Sequence, residues 1–178
     1  ADNAVSFTTP TLSGLTATFL ASMGETTDNG DRLVAAVHYG AGTFAAGVGG
    51  ERVKAPHSLP AGVLQIDNLQ AGVSWDLRTV KLFGTYSDSE MALSTGSRDL
   101  RTWQAGCTAP LGAGLLKLAY ATTRKAETAL PDVTRNTLAL GYDHPLSRRT
   151  DLYLVAERDK VTDRSAGNTL VAGMRHRF

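Results

Sequence analysis

The side chains able to do chemistry are few and scattered. There are four histidines, His38, His57, His144 and His176, and one cysteine, Cys107. A hydrolytic site needs a base within hydrogen-bond reach of a nucleophile or water, with an orienting group behind it. The pattern of strands and turns sets the histidines apart from one another, so no such triad is expected. Cys107 has no partner for an internal disulfide, and in an alternating segment it reads as a small apolar residue. No metal or cofactor is implied.

Charge offers a different chemistry. Arg32, Lys81, Lys117, Arg175 and Arg177 stand against Glu51, Asp76, Asp143, Asp151 and Glu157, each in a segment where every second residue is apolar. Successive side chains of a strand point to opposite faces, so these groups and His38 share one face of a sheet. Charges lining a narrow passage focus the field and select ions by sign. The near-even balance, 18 Lys plus Arg against 17 Asp plus Glu, argues against a nucleic-acid surface.

The elements that must carry these charges are strands. Period-two alternation marks 4–11, 15–24, 32–40, 43–53, 67–76, 80–88, 100–109, 115–125, 136–144, 151–160 and 168–178. Short connections at 13–14, 40–42, 77–79, 110–114 and 145–150 alternate with longer polar ones at 25–31, 54–66, 89–99, 126–135 and 161–167. That rhythm fits an up-and-down barrel with tight turns on one rim and loops on the other. The whole chain, 1–178, reads as a single all-β domain. No run approaches the roughly 18 apolar residues of a membrane helix, and the mean hydropathy is slightly negative. A membrane barrel satisfies both facts, because only alternate residues meet lipid.

The face opposite the charges is apolar and uncharged, rich in Leu, Ala and Val. Tyr39, Trp75, Tyr142 and Phe178 close strands running toward the short turns, while Tyr86, Trp103 and Tyr120 lie toward the long loops. Two aromatic rows around an uncharged band are expected where rings sit at lipid headgroup level. The chain ends on an alternating strand with a terminal Phe178, as outer-membrane barrels do. Past the band, on the outward parity, Arg52, Lys54, Arg124, Arg158 and Lys160 reach the level of outer-leaflet phosphates. Lipopolysaccharide contact is the reading for these, with solvated rim charges the plain alternative.

Three segments are similar to a known family. Asp2-Asn3-Ala4-Val5-Ser6-Phe7-Thr8-Thr9-Pro10-Thr11-Leu12-Ser13-Gly14-Leu15 resembles the strand and turn after the constricting loop of the trimeric general porins of β-proteobacteria. Tyr142-Asp143-His144-Pro145-Leu146-Ser147-Arg148-Arg149-Thr150-Asp151-Leu152-Tyr153 resembles their penultimate periplasmic turn, and Gly173-Met174-Arg175-His176-Arg177-Phe178 their closing strand. The resemblance implies a sixteen-stranded, transmembrane antiparallel barrel of which these eleven strands are strands six to sixteen, an incomplete barrel without the constriction loop. It implies an outer-membrane channel for passive diffusion of small hydrophilic solutes and ions, with weak anion preference, and a homotrimer in the full-length form. It also makes Phe178 the signal read by the outer-membrane assembly machinery. A miscounted twelve-stranded barrel, an outer-membrane barrel enzyme and a soluble β-sandwich binding protein are the alternatives. The inward face carries only Phe83 and Tyr153 as aromatics, which favours a general channel over a sugar-specific one.

Overall fold

The computed structural model describes residues 3–24, 30–54, 59 and 62–178; Asp2 and His57 lie outside the described residues, as do parts of the loops expected at 25–31 and 54–66. Eleven strands form one sheet: β1 (Ala4–Thr8), β2 (Leu15–Ser22), β3 (Asp31–Ala41), β4 (Phe44–Lys54), β5 (Val63–Asp76), β6 (Lys81–Leu93), β7 (Gly96–Leu111), β8 (Gly114–Glu127), β9 (Leu130–Pro145), β10 (Thr150–Val161) and β11 (Gly167–His176). Spatial order equals sequence order, and each strand is antiparallel to its predecessor. There is no helix among the described residues.

Eleven antiparallel strands leave the first and last pointing the same way, and β1 and β11 are the two open edges of the sheet. Closing this wall with antiparallel neighbours alone takes an odd number of further strands, since such barrels have even strand counts.

The register holds every strand's apolar set on one face. One row of paired residues runs Phe44, Trp75, Leu82, Cys107, Leu118, Leu140, Ala156, Leu170 from β4 to β11. A slip of one residue anywhere along it would exchange the two faces. The short-turn rim is held by tight chemistry: Ser13 and Gly14 both have positive φ, 51° and 88°. A Cβ on Gly14 would collide with the Gly40 carbonyl, while the Gly40 N–H donates to Gly14 O at 2.8 Å.

The sheet has no core. Among the described residues only Ser22, Val63 and Gly141 are buried, and no large side chain is fully enclosed. A sandwich would pack its apolar face against a second sheet at crystal-like density. Here Leu140, Leu154 and Val73 of that face are 47%, 48% and 45% exposed, so their solvent is not protein. On β10 the apolar-parity residues Leu152, Leu154 and Ala156 are exposed, whereas Tyr153, Val155, Glu157 and Asp159 on the other parity are partly covered.

Two expectations fail. The polar stretches 89–99 and 126–135 are not long loops: β6 and β7 continue to a turn at Ser94-Thr95, and β8 and β9 to one at Thr128-Ala129. Each of these strands runs seven or eight residues past Tyr86, Trp103, Tyr120 or Leu138, roughly 23–26 Å of extended chain at about 3.3 Å per residue. In these stretches both faces carry polar residues, so hydrophobic alternation stops while the hydrogen-bond ladder continues. At the ends, β1 stops at Thr8, β2 at Ser22 and β11 at His176, shorter than the alternation suggested. Pro10, with no N–H to donate, stands in the β1–β2 connection.

Candidate functional site

The charged face is built by the same register that builds the apolar one. Arg32, His38, Glu51, Lys81, Lys117, Glu157 and Arg175 all occupy its parity, and Arg177 follows β11 on it with its backbone N–H donating to Arg149 O at 2.8 Å. Arg32 meets Glu51 at 2.5 Å, and the Asn68 amide reaches the other Glu51 oxygen at 3.5 Å. His38 lies over Gly47, its Cδ2 3.7 Å from where a Cβ would stand.

Nearer the short turns, four charges link across four strands. Lys117 Nζ is 2.5 Å from Asp143, and Arg175 holds Asp151 with two bonds of 3.1 and 2.7 Å. A guanidinium nitrogen of Arg175 also lies 3.7 Å from Asp143, which therefore sits between two cations. Lys117 is thus an ion-paired wall residue whose side chain stays 43% exposed. In this patch the Tyr153 ring lies flat across Gly173; a Cβ there would be 2.5 Å from Tyr153 Cζ. Phe83 covers Gly106 in the same way. Both inward aromatics therefore lie along the wall.

Lys81 and Glu157 make no ion pair among the described residues. Asp76 accepts the Arg78 N–H at 2.8 Å, shaping the turn after β5. The inward parity also holds Arg98, Glu127 and Arg135 of the stretches expected as loops: Arg98 pairs with Glu127 at 2.9 Å, Lys125 with Glu127 at 2.7 Å, and Arg135 with Asp159 at 2.8 Å. Opposite charges at facing positions of two polar stretches were the available signal.

On the apolar face the aromatic rows are where alternation puts them. Tyr86 and Trp103 are direct partners with centroids 4.2 Å apart. The Tyr86 hydroxyl donates to Asp88 at 2.8 Å and that of Tyr120 to Asn136 at 3.0 Å, both toward the long-loop rim. Tyr142 points the other way, its hydroxyl donating to Leu111 O at 3.0 Å beside a short turn. Tyr39 packs near Phe44, centroids 6.3 Å apart, and Trp75 pairs with Phe44. These phenols thus leave the uncharged band in opposite directions, each with an apolar ring and a polar tip. Phe178 stands past the end of β11, fully exposed, its ring edge-on to His176 at 4.9 Å.

Among the outward cations, Arg52 pairs with Asp67 at 2.5 Å and Arg124 with Asp132 at 2.5 Å. Lys54, Arg158 and Lys160 carry no ion pair among the described residues. Among the described residues no cluster of His, Cys, Asp and Glu could hold a metal.

A single-layer sheet with every strand between β1 and β11 hydrogen-bonded on both sides, an uncharged band between two aromatic rows and a charged reverse face defines the wall of a transmembrane β-barrel. The Gram-negative porin family model matches residues 1–164, and the chain belongs to that family. It superposes on an anion-selective porin from Comamonas acidovorans with a TM-score of 0.80 at 25% identity, over 100% of this chain and 60% of that one. In-vitro folded OmpT, an outer membrane protein of Vibrio cholerae, matches with a TM-score of 0.76 at 12% identity, over 97% and 63% of the two chains. A further refined porin structure gives 0.69 at 16% identity, over 98% and 60%. The chain thus spans about 60% of the length of the solved porins it matches. No curated protein matches it. Its place is the bacterial outer membrane.

Proposed function

We propose that this chain forms most of the wall of a water-filled channel through which small hydrophilic solutes and ions diffuse passively. Its eleven strands are strands six to sixteen of a sixteen-stranded barrel, and the full-length protein is a homotrimer. The observation that carries this reading is the separation of faces without a core: apolar residues exposed on one side, ion-paired charges on the other.

Arg32, His38, Glu51, Lys81, Lys117, Glu157, Arg175 and Arg177 line the water side. Most of these cations are balanced by carboxylates, so the wall biases ions only weakly. Among the described residues Lys81 and Arg177 lack a carboxylate partner and Glu157 and Asp76 lack a cation, so the wall alone sets no sign, and the weak anion preference follows the Comamonas acidovorans neighbour described as anion-selective. The test is the reversal potential of the full-length protein in planar bilayers under a salt gradient. A small anion-favouring potential is expected, moved toward cations by Lys81→Glu. Absence of conductance steps would overturn the reading.

An enzyme is not favoured. The His176 ring nitrogen Nδ1 lies 2.8 Å from Thr150 Oγ1, but His176 is exposed and among the described residues no carboxylate orients the imidazole. Arg52, Lys54, Arg124 and Arg158 stand at the level of lipopolysaccharide phosphates, two of them already carrying a carboxylate. Phe178 serves assembly: its deletion should lower the yield of inserted protein and leave the conductance of each inserted channel unchanged.

A further inference from the structure

The cations of the water face are not held alike. Arg32 pairs with one carboxylate, Glu51. Asp143 instead serves two strands at once, lying 2.5 Å from Lys117 of β8 and 3.7 Å from Arg175 of β11. Lys117 has no other carboxylate partner among the described residues, whereas Arg175 also grips Asp151 through two nitrogens.

The register explains how Asp143 reaches both. Lys117 faces Gly141 across the β8–β9 ladder, and Asp143 is the next inward residue of β9. Asp143 faces Tyr153 on β10, whose partner on β11 is Gly173, and Arg175 is the next inward residue there. Gly141 and Gly173 put no side chain beside the three charged groups, and the Tyr153 ring lies across Gly173.

A recess of about 640 Å³ opens over this part of the wall, lined by Lys117, Gly141, Asp143, Tyr153, Val155 and Arg175 of the inward parity and by Met174 and His176 of the other. Asp143 is the sole carboxylate of that lining among the described residues. Its side chain is 19% exposed, against 43% for Lys117 and 50% for Arg175. Two cations open to water and turned onto one more deeply set carboxylate are the groups that hold a small oxyanion.

We infer that the recess over Gly141 is a site for small oxyanions between Lys117 and Arg175, and that the Asp143 carboxylate occupies it as a tethered competitor. This rests on the channel reading and gives Asp143 a role within it. Conduction requires that an ion bind weakly enough to leave. A permeating carboxylate or phosphate meets a carboxylate already in place, so it passes without lodging.

Single-channel currents of the full-length porin in planar bilayers under potassium chloride test it, with acetate and inorganic phosphate as probes. Asp143→Asn leaves Lys117 and Arg175 facing an amide. It should show saturable block of the chloride current by acetate, phosphate or both, at an apparent affinity at least about tenfold above wild type, the worth of a charge-assisted bond. Asp76→Asn removes the same charge from the same face but frees no bridged pair of cations. Its block should stay within about twofold of wild type, as for a screened surface charge. Lys117→Gln added to Asp143→Asn should abolish the block, and Asp143→Glu should behave as wild type. Circular dichroism and the conductance in plain chloride check that each variant is assembled; Asp143→Ser repeats the test if the amide variant is not.

Equal block in Asp143→Asn and Asp76→Asn would overturn the site, because net charge alone would then account for it. So would block that survives Lys117→Gln, or no block by either probe once Asp143 is replaced. If the wild type gives no conductance steps at all, it is the channel reading that fails.

Discussion

Strand β9 passes through two surroundings. From Leu138 to Asp143 it alternates Leu138, Leu140 and Tyr142 outward with Ala139, Gly141 and Asp143 inward, and its outward row meets lipid. From Leu130 to Arg135 no such alternation exists, yet the ladder to β8 continues almost to the turn, broken by one register shift near Lys125. What holds the upper part is polar. Arg124 holds Asp132 through two nitrogens, Thr134 N–H donates to Thr162 Oγ1 at 2.9 Å, and Arg135 donates to Asp159 at 2.8 Å. The adjoining β7–β8 tip is held likewise, Ser97 N–H donating to Thr128 Oγ1 at 2.9 Å and Arg98 gripping Glu127 through two nitrogens. The band is thus specified by solvent, the projecting hairpins by cross-strand partners.

The sharpest way to break this contrast uses two exposed leucines of one strand. Leu140→Arg, in the band, should cost about 2–4 kcal/mol, while Leu130→Arg at the hairpin tip should cost about 0–1 kcal/mol. Denaturant unfolding from lipid bilayers measures both, and equal losses would mean that both ends of β9 meet the same solvent.

A second contrast lies within β11. Gly173→Ala drives a methyl into the Tyr153 ring, an overpacking change of about 1–3 kcal/mol. Gly167→Ala, with nothing within 4 Å, should be close to neutral. Adding Tyr153→Ala to Gly173→Ala should remove the clash; if the loss persists, the ring is not its cause.

The smallest effect belongs to the hairpin tip, well above the outer aromatic row. The Arg98 guanidinium, and then Lys125, hold the Glu127 carboxyl down at about 2 from its ordinary 4.5. Its folded value is depressed, so its contribution is complete above about 4.5 and fades as pH falls toward about 2. Hydrogen exchange at Ser97 and Thr128, corrected for the intrinsic rate, should quicken across that window while amides beside Leu140 stay protected. Loss of protection in both places together would make the tip part of one cooperative unit with the band.

How much of this was legible in the sequence follows from the same physics. Every strand, and the face taken by Lys117, Arg175, Trp75 or Tyr142, could be read because lipid on one side imposes a period of two. Ser89 to Asp99 and Ala126 to Arg135 could not, since water on both sides leaves strand and loop with the same composition. The ion pairs inside those stretches, such as Arg98 with Glu127, were hidden for that reason. Arg52 and Arg124 were visible as outward cations, but their carboxylates, Asp67 and Asp132, needed the register of β4 with β5 and of β8 with β9. Flat packing of Tyr153 on Gly173 needed the pairing of β10 with β11.

The central claim is that one face of this sheet touches hydrocarbon and the other encloses water. Spin labels placed singly from 152 to 157 on β10, in the full-length protein reconstituted into bilayers, test it residue by residue. Collisions with oxygen should peak at 152, 154 and 156, and those with a water-soluble nickel chelate at 153, 155 and 157. The opposite phase, or no alternation, would contradict the account.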